Sequence, residues 1–225
     1  MSKTWFVTGT DTEVGKTAIS CALLAAAAAA GLRTAAVKPV AAGCDDQGHN
    51  DDALQLLDCM TEPLDYAQVN PVALEAAIAP HIAAEREGKR LQAGRLAGIC
   101  RGVMMGKADF VLIEGAGGWR VPISPRETLA DLAVQLQVGV ILVVGMRLGC
   151  INHALLTAEA IRRDGLELAG WVANQPGERM VCHEENLDTL RRLLPAPLLG
   201  EVPYLEPFDP IEAGKILLIE SLIGK

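Results

Sequence analysis

The chain is expected to form an α/β fold, one domain with a mainly parallel sheet flanked by helices. Apolar strand-like runs alternate with helical stretches along most of its length, the layout of a parallel sheet. Several of those runs are apolar almost without interruption, as strands covered on both faces are. No Pro/Ser-rich linker or internal repeat divides the 225 residues, half of which are hydrophobic. That suffices for one substantial core across residues 1–225, rather than two small ones.

The elements follow in order. "TWFVTG" (4–9) is a strand and 15–30 a helix. "RTAAVKPV" (33–40) is a second strand, and "NDDALQLLDCM" (50–60) a short helix after a polar loop. Residues 61–90 are less regular and decorate the core. "DFVLIEG" (109–115) and "GVILVVGM" (139–146) are strongly apolar strands, and "NHALLTAEAIRRDG" (152–165) is a helix with a glycine stop. "LELAGWVAN" (166–174) is a strand, 181–194 a helix, and "PLLGEVPYL" (197–205) strand and loop. "KILLIESLIGK" (215–225) is expected as a helix closing on the core; its polar face is too poor in basic residues for a membrane-binding tail.

Charge and cysteine usage narrow the function. A net charge of −8 argues against a nucleic-acid surface and against adhesion to anionic membranes. It suits a cytoplasmic enzyme, and a locally basic pocket could still hold a phosphate. The alanine-rich run at 18–32 is shorter than the ~20 residues of a membrane span, and alanine is only weakly apolar. It has no signal-peptide layout and reads as a buried helix. The six cysteines form no Cys-x-x-Cys pair, which points to reduced thiols rather than zinc ligands or a disulfide framework.

In parallel sheets ligands gather at the carboxyl ends of strands, and the chemistry-bearing residues fall there. "GTDTEVGKT" (9–17) follows a strand and opens a helix, the context of a phosphate-binding P-loop. The usual pattern has four residues between its glycines; here Gly9 and Gly15 have five between them. Backbone amides would cradle phosphate oxygens, Lys16 would reach the β- and γ-phosphates, and the Thr17 hydroxyl would ligate Mg²⁺. An ordinary helix start capped by Thr10 or Thr12 is the plainer alternative.

Glu114 ends a buried strand and is the best carboxylate for the metal, against the alternative of a solvated strand end. Gly115, Ala116 and Gly117 follow, where backbone can approach a nucleotide closely. Asp51 and Asp52 open a helix, where acidic residues also serve as cap and dipole partners. Lys38 ends a buried-looking strand and is costly there unless it meets an anion, the alternative being a snorkelling surface lysine. Asn174 offers a donor and an acceptor suited to an adenine edge, though asparagine also caps turns. His153 is expected to pack or cap rather than act as a base. His49, His81 and His183 lack metal-like spacing.

Taken together, "FVTGTDTEVGKT", "VKPVAAG", "VLIEGAGGW", "GCINHALLTAEAI", "AGWVAN" and "PAPLLGEVPYL" resemble the dethiobiotin synthetases, in order and spacing, from residue 4 to about residue 205. Any one segment is unspecific; the combination is not. That family's P-loop has five residues between its glycines. The resemblance implies an ATP-dependent ring closure on 7,8-diaminopelargonic acid. One amine takes up CO₂ as a carbamate, ATP converts it to a carbamic–phosphoric anhydride, and the second amine closes a cyclic urea.

It further implies Lys38, Lys16 and Thr12 as catalytic and Glu13, Val14, Gly15, Lys16 and Thr17 as the ATP loop. Thr17, Asp52 and Glu114 would hold Mg²⁺. Asn174, Pro203, Tyr204 and Leu205 would form the adenine end. Gly149, Cys150, Ile151 and Asn152 would grip the substrate carboxylate from the other subunit of a homodimer. His81 matches the family pattern without a clear role.

Three departures stand out. Ala42 replaces a serine associated with substrate binding, the 41–50 loop is short, and Arg120 adds a cation near the substrate mouth. They allow a paralogue with shifted substrate. Two rivals are a related ATP-dependent ligase, often carrying a glutamine-hydrolysing domain for which this chain is too short, and a dimeric switch ATPase. The latter has a signature lysine five positions before the P-loop lysine, where this chain has Asp11.

Overall fold

The computed structural model describes residues 2–224; Met1 and Lys225, the ends of the expected domain and of the expected closing helix, lie outside the described residues. β1 (Lys3–Gly9) runs through the glycine-rich loop into α1 (Lys16–Ala29). Then come β2 (Thr34–Val37), β3 (Ala41–Ala42), α2 (Asp51–Cys59), α3 (Tyr66–Val69), β4 (Ala73–Leu74), α4 (Pro80–Arg86) and α5 (Ala93–Met104). The second half alternates strictly: β5 (Phe110–Glu114), α6 (Leu129–Leu136), β6 (Gly139–Gly145), α7 (Cys150–Arg163), β7 (Leu168–Asn174), α8 (His183–Leu193) and β8 (Leu198–Val202). α9 (Pro210–Gly214) and α10 (Glu220–Ile223) end the series.

Six strands form one sheet in the order β2-β5-β1-β6-β7-β8, every neighbouring pair parallel, as the alternation predicts. The near-continuous apolar strands have the expected cause. Side chains alternate between two buried layers: Phe6, Val111, Ile113 and Leu142 face α5 to α8, while Val7, Leu112, Ile141 and Val143 face α1, α2 and the C-terminal segment. The alanine run of α1 explains itself there. A Cβ on Gly214 would lie 2.8 Å from the Ala22 carbonyl, so α9 packs on α1 almost backbone to backbone, which larger side chains would forbid. Among the described residues, no helix is long and apolar enough to cross a membrane.

The structure corrects several boundaries. The expected strand 33–40 ends at Val37. Pro39 cannot donate to a ladder, and Lys38 leaves the sheet with its amide on the Val69 carbonyl (2.7 Å). Ala41–Ala42 instead pairs with Ala73–Leu74 in a separate two-stranded ladder. The segment 61–90 therefore contains regular structure, and α5 and α6 lie where no element was expected. The C-terminal stretch is not one helix. Leu218 donates its amide to Leu199 beside β8, and only Glu220–Ile223 is helical. It nonetheless buries Leu217, Ile219 and Leu222 in the layer around α1.

Candidate functional site

The site begins at the carboxyl end of β1. Glu13 (φ 55°) and Gly15 (φ 81°) turn the loop through left-handed conformations, delivering Lys16 and Thr17 to the first turn of α1. A Cβ on Gly15 would meet Asn174 Nδ2 at 2.2 Å, so only glycine fits. Asn174 Nδ2 donates to the Val14 carbonyl (2.8 Å). The donor half of that amide thus anchors the loop, leaving the oxygen for other work. Val14 is fully buried, and its side chain fills the space that Gly9 and Gly145 leave open; only its main chain can face a nucleotide.

Three charged groups and a hydroxyl meet beside the loop. Lys38 Nζ donates to Asp52 Oδ2 and to Glu114 Oε1, both at 2.6 Å. Thr17 Oγ1 donates to Glu114 Oε1 at 2.8 Å. Glu114 is entirely buried and Lys38 3 % exposed, so that pair is desolvated, while Asp52, its side chain 45 % exposed, closes the cluster on the solvent side. Burial alone would depress the Lys38 ammonium's pKa; the facing charges of Glu114 and Asp52 outweigh it and raise the pKa above the usual lysine value. Burial would likewise raise the Asp52 carboxyl, but Lys38 pulls it below its ordinary range. Lys16, whose Nζ reaches the Asp11 carbonyl at 3.3 Å, is pushed down by burial. Asp11 itself is held below its usual value by the Thr12 amide and then by Arg147, at 2.6 Å.

Sequence reasoning missed the groups behind this cluster. Ser20 Oγ donates to Glu114 Oε2 at 2.6 Å. Asn70 Nδ2 donates to the Lys38 carbonyl (2.7 Å). Tyr66 Oη donates to Asn70 Oδ1 (3.1 Å) and accepts from the Asn50 amide (2.8 Å). Asn50 caps α2 by accepting from the Ala53 amide (3.3 Å). One phenol thereby ties the segment carrying Lys38 to the helix carrying Asp52. The one-turn spacing of Thr17 and Ser20 was a visible signal; the Tyr66 link crosses loops and left none.

Lys16, Thr17, Lys38, Asn50 and Asp52 open onto a cleft of about 930 Å³. Thr12, Glu13, Gly15, Ala116 and Gly117 also line it, while Ala42, Ile78, Pro80 and Val121 give an apolar far wall. A Cβ on Gly117 (φ 63°) would lie 3.4 Å from the Thr12 side chain, and one on Gly115 would lie 3.2 Å from the Phe6 ring. Arg120 lines the cleft as expected, yet its charge is matched: Arg120 Nη2 meets Asp164 Oδ1 at 2.7 Å, beside Trp119 Nε1 on the other Asp164 oxygen at 2.8 Å.

Gly149, Cys150, Ile151 and Asn152 are not among the cleft's lining residues. Gly149 (φ 96°) caps α7 and Cys150 is buried. His153, in the first turn of α7, is exposed. Asp51 is exposed and does not join the ion cluster. Pro203, Tyr204 and Leu205 follow β8, adjoining β7 where the Gln175 amide bonds the Val202 carbonyl; they too lie outside the cleft lining. His183 Nε2 meets Glu201 Oε1 at 2.7 Å, fixing the loop after Asn174 against β8. His81 Nδ1 is buried without a partner among the described residues.

Two lysines, a hydroxyl and two carboxylates at the mouth of a P-loop can bind, align and neutralise a polyphosphate beside a second anion. Comparisons with known proteins point the same way. A family model described as an AAA domain matches residues 3–212. The chain is 61 % identical over 206 residues to an ATP-dependent dethiobiotin synthetase of Cellvibrio japonicus, covering 90 % of each chain. Identity to the enzyme of that name from Marinobacter nauticus is 55 % over 218 residues, 95 % of this chain and 93 % of the relative. Against ATP-dependent dethiobiotin synthetase BioD 1 of Escherichia coli K12 it is 53 %, covering 91 % and 92 %. Among solved structures, a ParA family ATPase from Chlorobium tepidum (TM-score 0.59, 12 % identity, 99 % of each chain) shares the fold. So does a chain of the MinC:MinD cell division protein complex of Aquifex aeolicus (TM-score 0.59, 14 % identity, 99 % and 96 %).

Proposed function

The chain belongs to the ATP-dependent dethiobiotin synthetases, and from that membership we propose how its site closes the ring of dethiobiotin. The substrate is 7,8-diaminopelargonic acid. One amine adds to CO₂ as a carbamate. The carbamate oxygen takes the γ-phosphoryl group of ATP, releasing ADP. The second amine attacks the carbonyl carbon of the mixed anhydride, phosphate leaves, and a cyclic urea remains.

The observation that carries this reading is the cluster of buried Lys38, Glu114 and Thr17 with half-exposed Asp52, beside Lys16 and facing a cleft with an apolar far wall. A carbamate and a triphosphate repel one another, so their approach needs cations between them. Lys38, kept fully charged by its carboxylates, stands on the substrate side and meets the transferring phosphoryl group. Lys16 and the loop amides of Glu13 to Thr17 hold the nucleotide phosphates, with Gly115 to Gly117 against them. Thr12 and its neighbours hold the carbamate oxygens.

The all-oxygen donor set of Thr17, Asp52 and Glu114 fits Mg²⁺, which when bound supplies neutralisation and alignment of the phosphate oxygens. Asn174 and Pro203 to Leu205 flank the adenine. The aliphatic chain of the substrate lies along Ala42 and its apolar neighbours. Its carboxylate is met by Gly149 to Asn152 at the start of α7 of a partner subunit, in keeping with their position outside this chain's own cleft. The working unit is a cytoplasmic homodimer, each chain acting as one domain.

The test is purified protein with diaminopelargonate, bicarbonate and Mg-ATP. Phosphate release that requires the diamine, with dethiobiotin formed in equal amount, is the expected result. ATP hydrolysis indifferent to the diamine would overturn it.

A further inference from the structure

Ser20 figures in no step above, yet it is fully buried beside the ion cluster. Its hydroxyl donates to Glu114 Oε2 at 2.6 Å, while Lys38 and Thr17 both donate to Oε1. Among the described residues, no other side chain bonds Oε2. Thr17 and Ser20 stand one turn apart on the same face of α1. A single helical turn therefore grips the carboxylate at both oxygens and prevents its rotation.

The two oxygens are consequently unequal. Oε1 faces the groups of the cleft mouth, and Oε2 is turned into the protein. Divalent cations differ in what they ask of such a group. Ca²⁺ accepts a bidentate carboxylate and variable coordination numbers, whereas Mg²⁺ demands near-octahedral geometry at short distances. A carboxylate pinned by one oxygen presents only the other.

We propose that Ser20 is a positioning residue that fixes Glu114 as a one-oxygen ligand and so biases the site toward Mg²⁺ over Ca²⁺. The inference rests on the reading of Thr17, Asp52 and Glu114 as the metal site. It adds a residue outside the P-loop motif, acting through the carboxylate and not on the substrate.

ADP affinity of the full chain, measured by calorimetry in EDTA, in Mg²⁺ and in Ca²⁺, tests it without turnover. The parent protein is expected to bind ADP more tightly with Mg²⁺ than in EDTA. Ser20→Ala should lose about tenfold of the Mg²⁺-dependent gain, the usual scale for losing a ligand's orienting partner. Its affinity in EDTA and its gain from Ca²⁺ should be retained. A Ser20→Ala protein with a lower Tm and an unchanged Mg²⁺-to-Ca²⁺ ratio would overturn the proposal, because it would show a purely structural hydroxyl. Should the alanine variant fail to fold, Ser20→Cys keeps the volume with a weaker donor; an unchanged ratio there overturns the proposal equally, and an intermediate one supports it. A parent protein with no metal-dependent gain would remove the metal-site reading itself, and the inference with it.

Discussion

β2 and β5 lie side by side and carry an ion pair at each end. At their amino ends Arg33 meets Asp109 through two parallel bonds, Nε to Oδ2 at 2.9 Å and Nη2 to Oδ1 at 3.0 Å. At their carboxyl ends Lys38 meets Glu114 at 2.6 Å. The arginine pair has the more specific geometry, but its side chains are 53 % and 43 % exposed against 4 % and 0 % for the lysine pair. Solvent screens the first; the second is desolvated. The stoichiometry differs too. Lys38 faces two carboxylates, and the second lysine, Lys16, stands close enough to feel both of them, so the buried end is a network of charges and not a single pair. Lysine also presents a compact charge on a flexible stem, whereas a guanidinium is committed to one planar partner. The same two strands thus end in a clasp on one side and the proposed reactive centre on the other.

The largest effects should come from the buried end. Lys38→Ala leaves Glu114 without its cation and is expected to cost about 3 kcal/mol of stability, the scale of a broken buried pair. Turnover should fall roughly a hundredfold or more with ADP affinity little changed. Lys16→Ala should instead weaken nucleotide binding along with turnover. Calorimetry and steady-state kinetics on both variants separate the two patterns, and normal turnover in Lys38→Ala would erase the distinction between the two ends.

A smaller effect is expected one layer back. Tyr66→Phe keeps the ring against His49 but removes the hydroxyl that joins Asn50 to Asn70. The unpaired groups left behind cost about 1–3 kcal/mol. Because the link holds Lys38 and Asp52 in register, kcat should drop severalfold with KM for ATP unchanged. A lower Tm with unaltered kcat would confine Tyr66 to the fold. Smaller again is Ala42→Ser in the apolar wall. One added hydrogen bond is worth about 0.5–1.5 kcal/mol, so KM for the diamine should fall by a factor of two to ten or so, measured at saturating ATP.

These contrasts also mark what the sequence could disclose. The sheet was legible because buried parallel strands must be apolar throughout, and the P-loop because its glycines and Lys16-Thr17 sit at a strand–helix junction. Lys38 and Glu114 were legible as charges ending buried strands, where only a partner makes them tolerable. Several smaller elements were not. β3 and β4 are two residues each and carry no periodicity, and α5 and α6 have apolar patterns diluted by glycine and short length. Asn70 and Tyr66 look like ordinary turn and surface residues until the loops fold together. Arg120 read as a free cation because Asp164, its partner, is 44 residues away.

The mildest change should be at the exposed end. Arg33 holds the Asp109 carboxyl at about 2, first through side-chain hydrogen bonds and then through its own backbone amide. A lowered folded-state pKa means that the ionised form stabilises the fold, and that this contribution is present above the ordinary value of 3.8 and lost as pH falls toward about 2. Asp109→Asn should therefore lower Tm slightly at neutral pH, by less than any variant above. The gap between it and the parent should close over that acid interval, and it should shrink with added salt, since the pair is solvated. Turnover should be unchanged, as neither residue approaches the cleft. If Asp109→Asn reduced kcat as Lys38→Ala does, the two ends of β2 and β5 would be coupled through the strands, and burial would not be what separates the clasp from the reactive centre.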